Sequence, residues 1–273
     1  MAGVLLHLAM GNPEKTDPDN AVYNVSFKKA YTLGLLLPDI AKSGFIRDEE
    51  DFDRVFEGCS RDDILTYEEY LEFRKNHHFN PSRQNPSQQD TRNPNLRVFM
   101  DAGYVDLQKA VWQGVLCHLM GDKAFYYKSY CIDFERQEND YVREVGATDA
   151  WDEEKWRNSK TAKVYYEDYN LLNQCIEEEY GVLGRARKIL SEPLLAKILS
   201  VFSVKFSSRS AEPVYMNWEN IRKCTDYFRR QSSDVVRGDW SPEEVWADFD
   251  NKNEEEEHEK ESFGNCSGHC IGA

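Results

Sequence analysis

The run Gly114-Val115-Leu116-Cys117-His118-Leu119-Met120-Gly121-Asp122 sets a histidine and an aspartate four residues apart in an otherwise apolar stretch. On an α-helix, positions i and i+4 lie one above the other on the same face. Val111, Val115, His118 and Asp122 therefore form one stripe, flanked by Trp112, Leu116 and Leu119. A stripe of that kind must face a core, where a carboxylate is costly unless something pairs with it or a metal binds it. The spacing thus demands a buried helix, with a divalent cation as the natural partner of its His/Asp pair.

The rest of the chain reads as helical too. Residues 1–17 look like an irregular entry segment broken by Gly11, Pro13 and Pro18. A helix is expected over 20–36, ended by Pro38, and a short one over 49–57. Thr66-Tyr67-Glu68-Glu69 has the form of a capping box and opens a helix towards residue 75. Residues 80–95, rich in Pro, Ser, Gln and Asn, form a long loop. The central helix follows over 106–127, then a turn or short helix over 151–156. Residues 162–179 carry Val164, Tyr165, Tyr169, Leu172, Cys175 and Ile176 at helical spacing and close on Gly181. Further helices are expected over 183–202, 215–230 and 242–249. No segment alternates as a strand would, so the fold class is all-α. Residues 1–250 form one multi-helix domain, and 251–273 form a disordered acidic tail that opens on Asn251-Lys252-Asn253-Glu254-Glu255-Glu256-Glu257.

Charge narrows the partners. With 34 lysines and arginines against 49 aspartates and glutamates, the net charge is −15. Such a surface disfavours nucleic acid and anionic membranes, but not a small phosphate ester, because a metal brings its own positive charge. The apolar start, Val4 to Met10, is short, is interrupted by His7 and lacks a cationic leader. No stretch is long enough for a membrane span, and a cytoplasmic protein is expected. Its seven scattered cysteines should then be mostly reduced.

Three other ligand-type residues sit at element ends beside apolar neighbours: His7 in Leu5-Leu6-His7-Leu8, Asp39 after Leu35-Leu36-Leu37-Pro38, and His78 in Asn76-His77-His78-Phe79-Asn80-Pro81. Each also has an ordinary reading. A lone histidine in an apolar segment is commonly a hydrogen-bonded core residue. An aspartate after proline commonly caps the next turn. Paired histidines suit a solvated helix end. Even His118 and Asp122 can form a buried hydrogen-bonded pair without metal. The terminal Cys266, His269 and Cys270 lack a fourth partner and are not read as a site.

In order along the chain, Leu6-His7-Leu8, Leu33-Gly34-Leu35-Leu36-Leu37-Pro38-Asp39, His77-His78-Phe79 and Gly114 to Asp122 resemble the "THL", "LGxLxPDI", "THF" and "GxLxHLxxD" segments of the zinc-dependent phospholipase C family. That family is related to the single-strand-specific zinc nucleases. Asp168-Tyr169-Asn170 is similar to a later recurrent segment, so the resemblance spans roughly residues 1–180. It implies an all-α fold with a metal site between helices. The implied ligands are His7, Asp39, His78, His118 and Asp122, with His77 replacing His78 if the register differs by one. This set suits zinc, with iron or manganese as alternatives. Family members also use an amino-terminal tryptophan and a later His-x-x-x-Glu pair. Here the chain starts Met1-Ala2 and has no histidine between His118 and His258, so one or two ions are expected.

The resemblance implies hydrolysis of a phosphoester by a metal-activated water, with Asp39 or Asp122 as base or metal bridge. The substrate would be a small phosphoester or a phospholipid headgroup. Two other functions compete: a nucleotide or other phosphohydrolase with the same His/Asp site, and a non-enzymatic helical module with a structural metal.

Overall fold

The computed structural model describes residues 3–11, 25–56, 66–75, 110–111, 113–115, 117–118, 121–122, 125, 131–146, 153–207 and 212–237. About 80% of them are helical and none lies in a strand, so the fold is all-α as expected. The helices are α1 (Val4–Met10), α2 (Val25–Ser43), α3 (Glu49–Val55), α4 (Tyr67–Lys75), α5 (Phe134–Val145), α6 (Glu153–Asn158), α7 (Lys160–Tyr180), α8 (Val182–Ile189), α9 (Glu192–Val201) and α10 (Trp218–Arg237). Between α4 and α5, every described position from 110 to 125 is helical. The expected loop over 80–95, the helix over 242–249 and the tail lie outside the described residues.

Residues 4–10 are a helix, not the irregular entry that Gly11 and the prolines suggested. All seven are buried. A seven-residue helix with every side chain buried has no solvent face and is stable only when enclosed. Here α2, α7, α8 and α10 pack around it. Gly3, at φ 86°, starts it by accepting from the Leu6 and His7 N–H groups, and the Gly11 N–H closes it on the His7 carbonyl.

Pro38 does not end α2, which runs through it to Ser43. A proline inside a helix removes one i→i−4 bond, here the one to the Gly34 carbonyl. Burial offsets that loss: Leu33, Leu35, Leu36, Leu37, Ile40 and Ala41 are all enclosed around it. The expected helix over 183–202 is instead α8 and α9, broken where Leu190 is extended and Pro193 opens the second helix. Proline is pre-shaped for a first turn and lacks the N–H that a helix continuing through it would need.

Local signals are honoured elsewhere. The Thr66 N–H donates to Glu69 Oε2 at 2.7 Å, and the Glu69 N–H donates to Thr66 Oγ1 at 3.2 Å, completing the capping box of α4. Gly181, at φ 55°, ends α7 in the left-handed conformation that favours glycine. By contrast, α5 has no sequence signal beyond its Asp133 cap, which accepts from the Arg136 N–H. Only Gln137 and Tyr141 of it are buried, and its charged surface hides the period.

One continuous core joins α1, α2, the 110–125 segment and α7 to α10. A small cluster of Tyr141, Trp156 and Ala162 holds α5 and α6 against α7. Among the described residues, no helix is long and apolar enough to cross a membrane.

Candidate metal centre

The site forms where α1, α2 and the 110–125 segment meet. Two glycines set their approach. A Cβ on Gly34 would stand 2.0 Å from the Val111 carbonyl oxygen, and one on Gly114 would stand 2.2 Å from that of Tyr31. The two helices therefore touch backbone to backbone, which only glycine permits. Gly121 plays the same part towards α1, since a Cβ there would lie 3.0 Å from Met10 Sδ and 3.5 Å from His7 Nδ1.

This close crossing brings the His118 ring to the backbone of α2. His118 Nδ1 lies 2.7 Å from the Leu35 carbonyl oxygen. A carbonyl can only accept, so Nδ1 carries the proton and donates. The other nitrogen, Nε2, then faces Asp122, one helical turn on, at 3.5 Å from Oδ2. From α1, His7 Nε2 lies 3.3 Å from Asp122 Oδ1. The two imidazoles stack with centroids 3.6 Å apart and planes 14° from parallel. His7 Nδ1 is buried without a hydrogen-bond partner, and its Nε2 faces Asp122.

These positions fit a metal ion. One ligand atom from each of His7, His118 and Asp122 lies within 4.8 Å of the others. Donors about 2.1 Å from a tetrahedral ion stand about 3.4 Å apart, and each histidine Nε2 lies at a comparable distance from one Asp122 oxygen, 3.3 Å for His7 to Oδ1 and 3.5 Å for His118 to Oδ2. A ligating histidine typically gives its second N–H to a carbonyl or carboxylate, which fixes its tautomer. His118 does this with Leu35. The buried group of His7, His118 and Asp122 could thus hold a metal ion.

Its electrostatics are those of a dry, crowded pocket. Burial, and then the charge of His118, push the His7 imidazole below its ordinary pKa. Burial would lower His118 as well. The hydrogen bond and charge of Asp122, the charge of Asp39 and the Leu35 carbonyl outweigh it and raise His118. Burial would raise the Asp122 carboxyl, but His118 and His7 together hold it well below the usual carboxylate range. Two stacked imidazoles cannot both be charged at low cost.

Of the expected ligands, the structure brings His7, His118 and Asp122 together. Asp39 lies on α2 one turn beyond Leu35, is 1% exposed, and neither carboxylate oxygen completes a hydrogen bond. Its charge acts on both imidazoles, although it stands outside the close group of three. It does not cap a turn, the ordinary role for an aspartate after proline, because α2 continues through it. His78 and its alternative His77 lie outside the described residues.

Sequence reasoning names one neighbour, Tyr169, only at core spacing and within Asp168-Tyr169-Asn170, not as part of the site. Tyr169 of α7 packs 3.8 Å from the Cβ position of Gly3, one turn before His7, and against the Phe125 ring at 6.4 Å. Its hydroxyl accepts from that of Tyr165 at 3.3 Å. Burial, Tyr165 and then Asp122 and Asp39 push its phenol well above its ordinary pKa. Its i, i+4 spacing from Tyr165 reads as core in the sequence, and only the fold shows that it borders the site.

Comparison with protein-family models, with curated proteins and with solved structures found no match.

Proposed function

We propose that this chain is a metal-dependent hydrolase of phosphoester bonds, with zinc as the preferred ion and iron or manganese as alternatives. One observation carries the reading: two imidazoles and a carboxylate whose ligand atoms lie within 4.8 Å of one another, one imidazole held in the ligating tautomer by the Leu35 carbonyl. A metal bound by three protein groups keeps a position for water, brings the pKa of that water towards neutrality and polarises a phosphoryl oxygen. His7, His118 and Asp122 would hold the ion. Asp39, buried without a hydrogen-bond donor, would take a proton from the attacking water. The net charge of −15 favours a small phosphoester or a lipid headgroup over a long polyanion.

The depth of the group favours a second reading. His7, His118 and Asp122 are each no more than 1% exposed, as suits a metal that holds helices together.

Elemental analysis of the full chain beside His118→Ala tests the shared premise. Near-stoichiometric metal that falls in the variant supports both readings, and no metal in either protein, even after reconstitution, overturns both. Chelation then separates them. Loss of phosphoester hydrolysis with the helical circular dichroism signal intact supports the enzyme. Loss of fold with the metal, together with inactivity towards phosphomonoesters, phosphodiesters and phosphocholine esters, supports the structural ion.

A further inference from the structure

Away from the metal site, two cysteines 93 residues apart in sequence meet. Cys131 Sγ donates to Cys224 Sγ at 3.9 Å. Cys131 is fully buried, and Cys224 is half-buried on α10. The backbone around them is clamped. Residues 131–133 run antiparallel to 215–217: the Asn217 N–H donates to the Cys131 carbonyl at 2.9 Å, the Asp133 N–H donates to the Tyr215 carbonyl at 2.8 Å, and Ile132 bridges Met216. Asn217 then caps α10, its side chain accepting from the Asn220 N–H at 3.0 Å. Cys224 follows Asn217 by seven residues, two helical turns, and so returns to the face that overlies the clip. Each thiol thus sits on an element whose position the clip fixes relative to the other.

We infer that Cys131 and Cys224 are a redox pair, forming a reversible disulfide that staples α10 to the 131–133 clip. Bonding requires the sulfurs to close to about 2.05 Å, a movement shared between two side chains that already face each other. The oxidant is a small-molecule disulfide, RSSR. Cys224, the more accessible thiol, loses its proton and attacks one sulfur of RSSR, expelling RS⁻ and forming Cys224–S–SR. Cys131 then loses its proton and attacks the Cys224 sulfur, expelling the second RS⁻. In sum, two protein thiols and RSSR give one protein disulfide and two RSH, and excess thiol reverses the exchange. The hydrogen bond shared with Cys224, and then burial, push the Cys131 thiol up, so the second step should quicken with rising pH. The cross-link encloses α5 to α9 in one covalent loop and fixes α10, which packs on the helix that carries His7.

The test is oxidation of the reduced full chain with oxidised glutathione, followed by alkylation of remaining thiols and peptide mapping without reductant. The expected product is a linked pair of peptides holding Cys131 and Cys224, two hydrogens lighter than their sum and separated by dithiothreitol. Oxidation should raise Tm by about 5–10 °C, as for a long closed loop, and Cys224→Ser should abolish the rise. Alkylation of both cysteines after oxidation overturns the inference. So does glutathione retained on Cys224 beside an alkylated Cys131. The mapping is made on the wild-type chain, so it decides the matter even if Cys224→Ser does not fold.

Discussion

Replacing Gly34 by alanine is the most direct probe of how the site is built. The added Cβ would stand 2.0 Å from the Val111 carbonyl oxygen, whereas real Cβ contacts essentially never fall below 3.0 Å. The obstacle is backbone, so the helices must separate by about 1 Å. The same movement carries His118 Nδ1 from 2.7 Å to about 3.7 Å from the Leu35 carbonyl, beyond hydrogen-bond range. Overpacking costs about 1–3 kcal/mol, and a buried imidazole N–H stripped of its acceptor costs about 1–3 kcal/mol more. At about 2–4 °C per kcal/mol for a fold of this size, Tm should fall by about 5–20 °C in differential scanning fluorimetry. Gly184→Ala is the matched control. It makes the same chemical change on an exposed face of α8 with nothing within 4 Å of the new Cβ. Better helix propensity should stabilise it by about 0.5–1 kcal/mol. A Gly34→Ala protein that melts with the wild type would refute the backbone crossing. If the metal reading holds, Gly34→Ala should also weaken metal binding about 10–100-fold, because His118 loses the group that orients it.

Three other substitutions probe separate levels of the fold. Asp51 accepts from the Arg47 side chain at 2.8 Å, with Lys197 of α9 at 3.7 Å, and the Arg47 hydrogen bond leads in holding its carboxyl at about 2 against an ordinary 3.8. The stability it supplies is complete above the ordinary value and is lost as pH falls through about 2. Asp51→Asn should therefore flatten the decline of Tm between about pH 4 and pH 2, and an unchanged acid profile would count against the pairing. Thr66→Ala removes one half of the α4 capping box and should cost about 1 kcal/mol by urea denaturation. Glu69→Gln, which can still accept from the Thr66 N–H, should cost less. Phe52→Ala empties a fully buried position whose ring contacts Phe56, Tyr67 and Tyr70. It should cost about 3–5 kcal/mol, and a loss below 1 kcal/mol would show that α3 and α4 do not pack as described.

What could be read in the sequence were the features whose cause is local. The stripe of Val111, Val115, His118 and Asp122 follows from helical period alone, and all four are buried. The Thr66 capping box and the Gly181 stop are each complete within a few residues, and both are present. The misreadings came where a distant partner outweighs a local signal. Pro38 is a helix breaker by its own chemistry, yet the enclosed leucines around it carry α2 past it. Val4–Met10 is too short to be helical alone and becomes so because four helices surround it. The charged α5 was missed because its two buried residues are too few to mark a period.

The site itself divides along the same line. Which residues could serve as ligands is a matter of side-chain chemistry, and His7, Asp39, His118 and Asp122 stand out because a charged or polar group among leucines needs a reason. How they meet is not local. Gly34 and Gly114 lie far apart in sequence, and each alone reads as a weak point in a helix. Together they are the contact that lets one helix offer its Leu35 carbonyl to a histidine on the other. Pro38 belongs to the same device, since it removes the N–H that would otherwise bond the Gly34 carbonyl at the crossing. In this fold, then, the positions that look least helical within two adjacent helices are the ones that join them. The separation between the His7, His118 and Asp122 donors depends on glycines that carry no donor of their own.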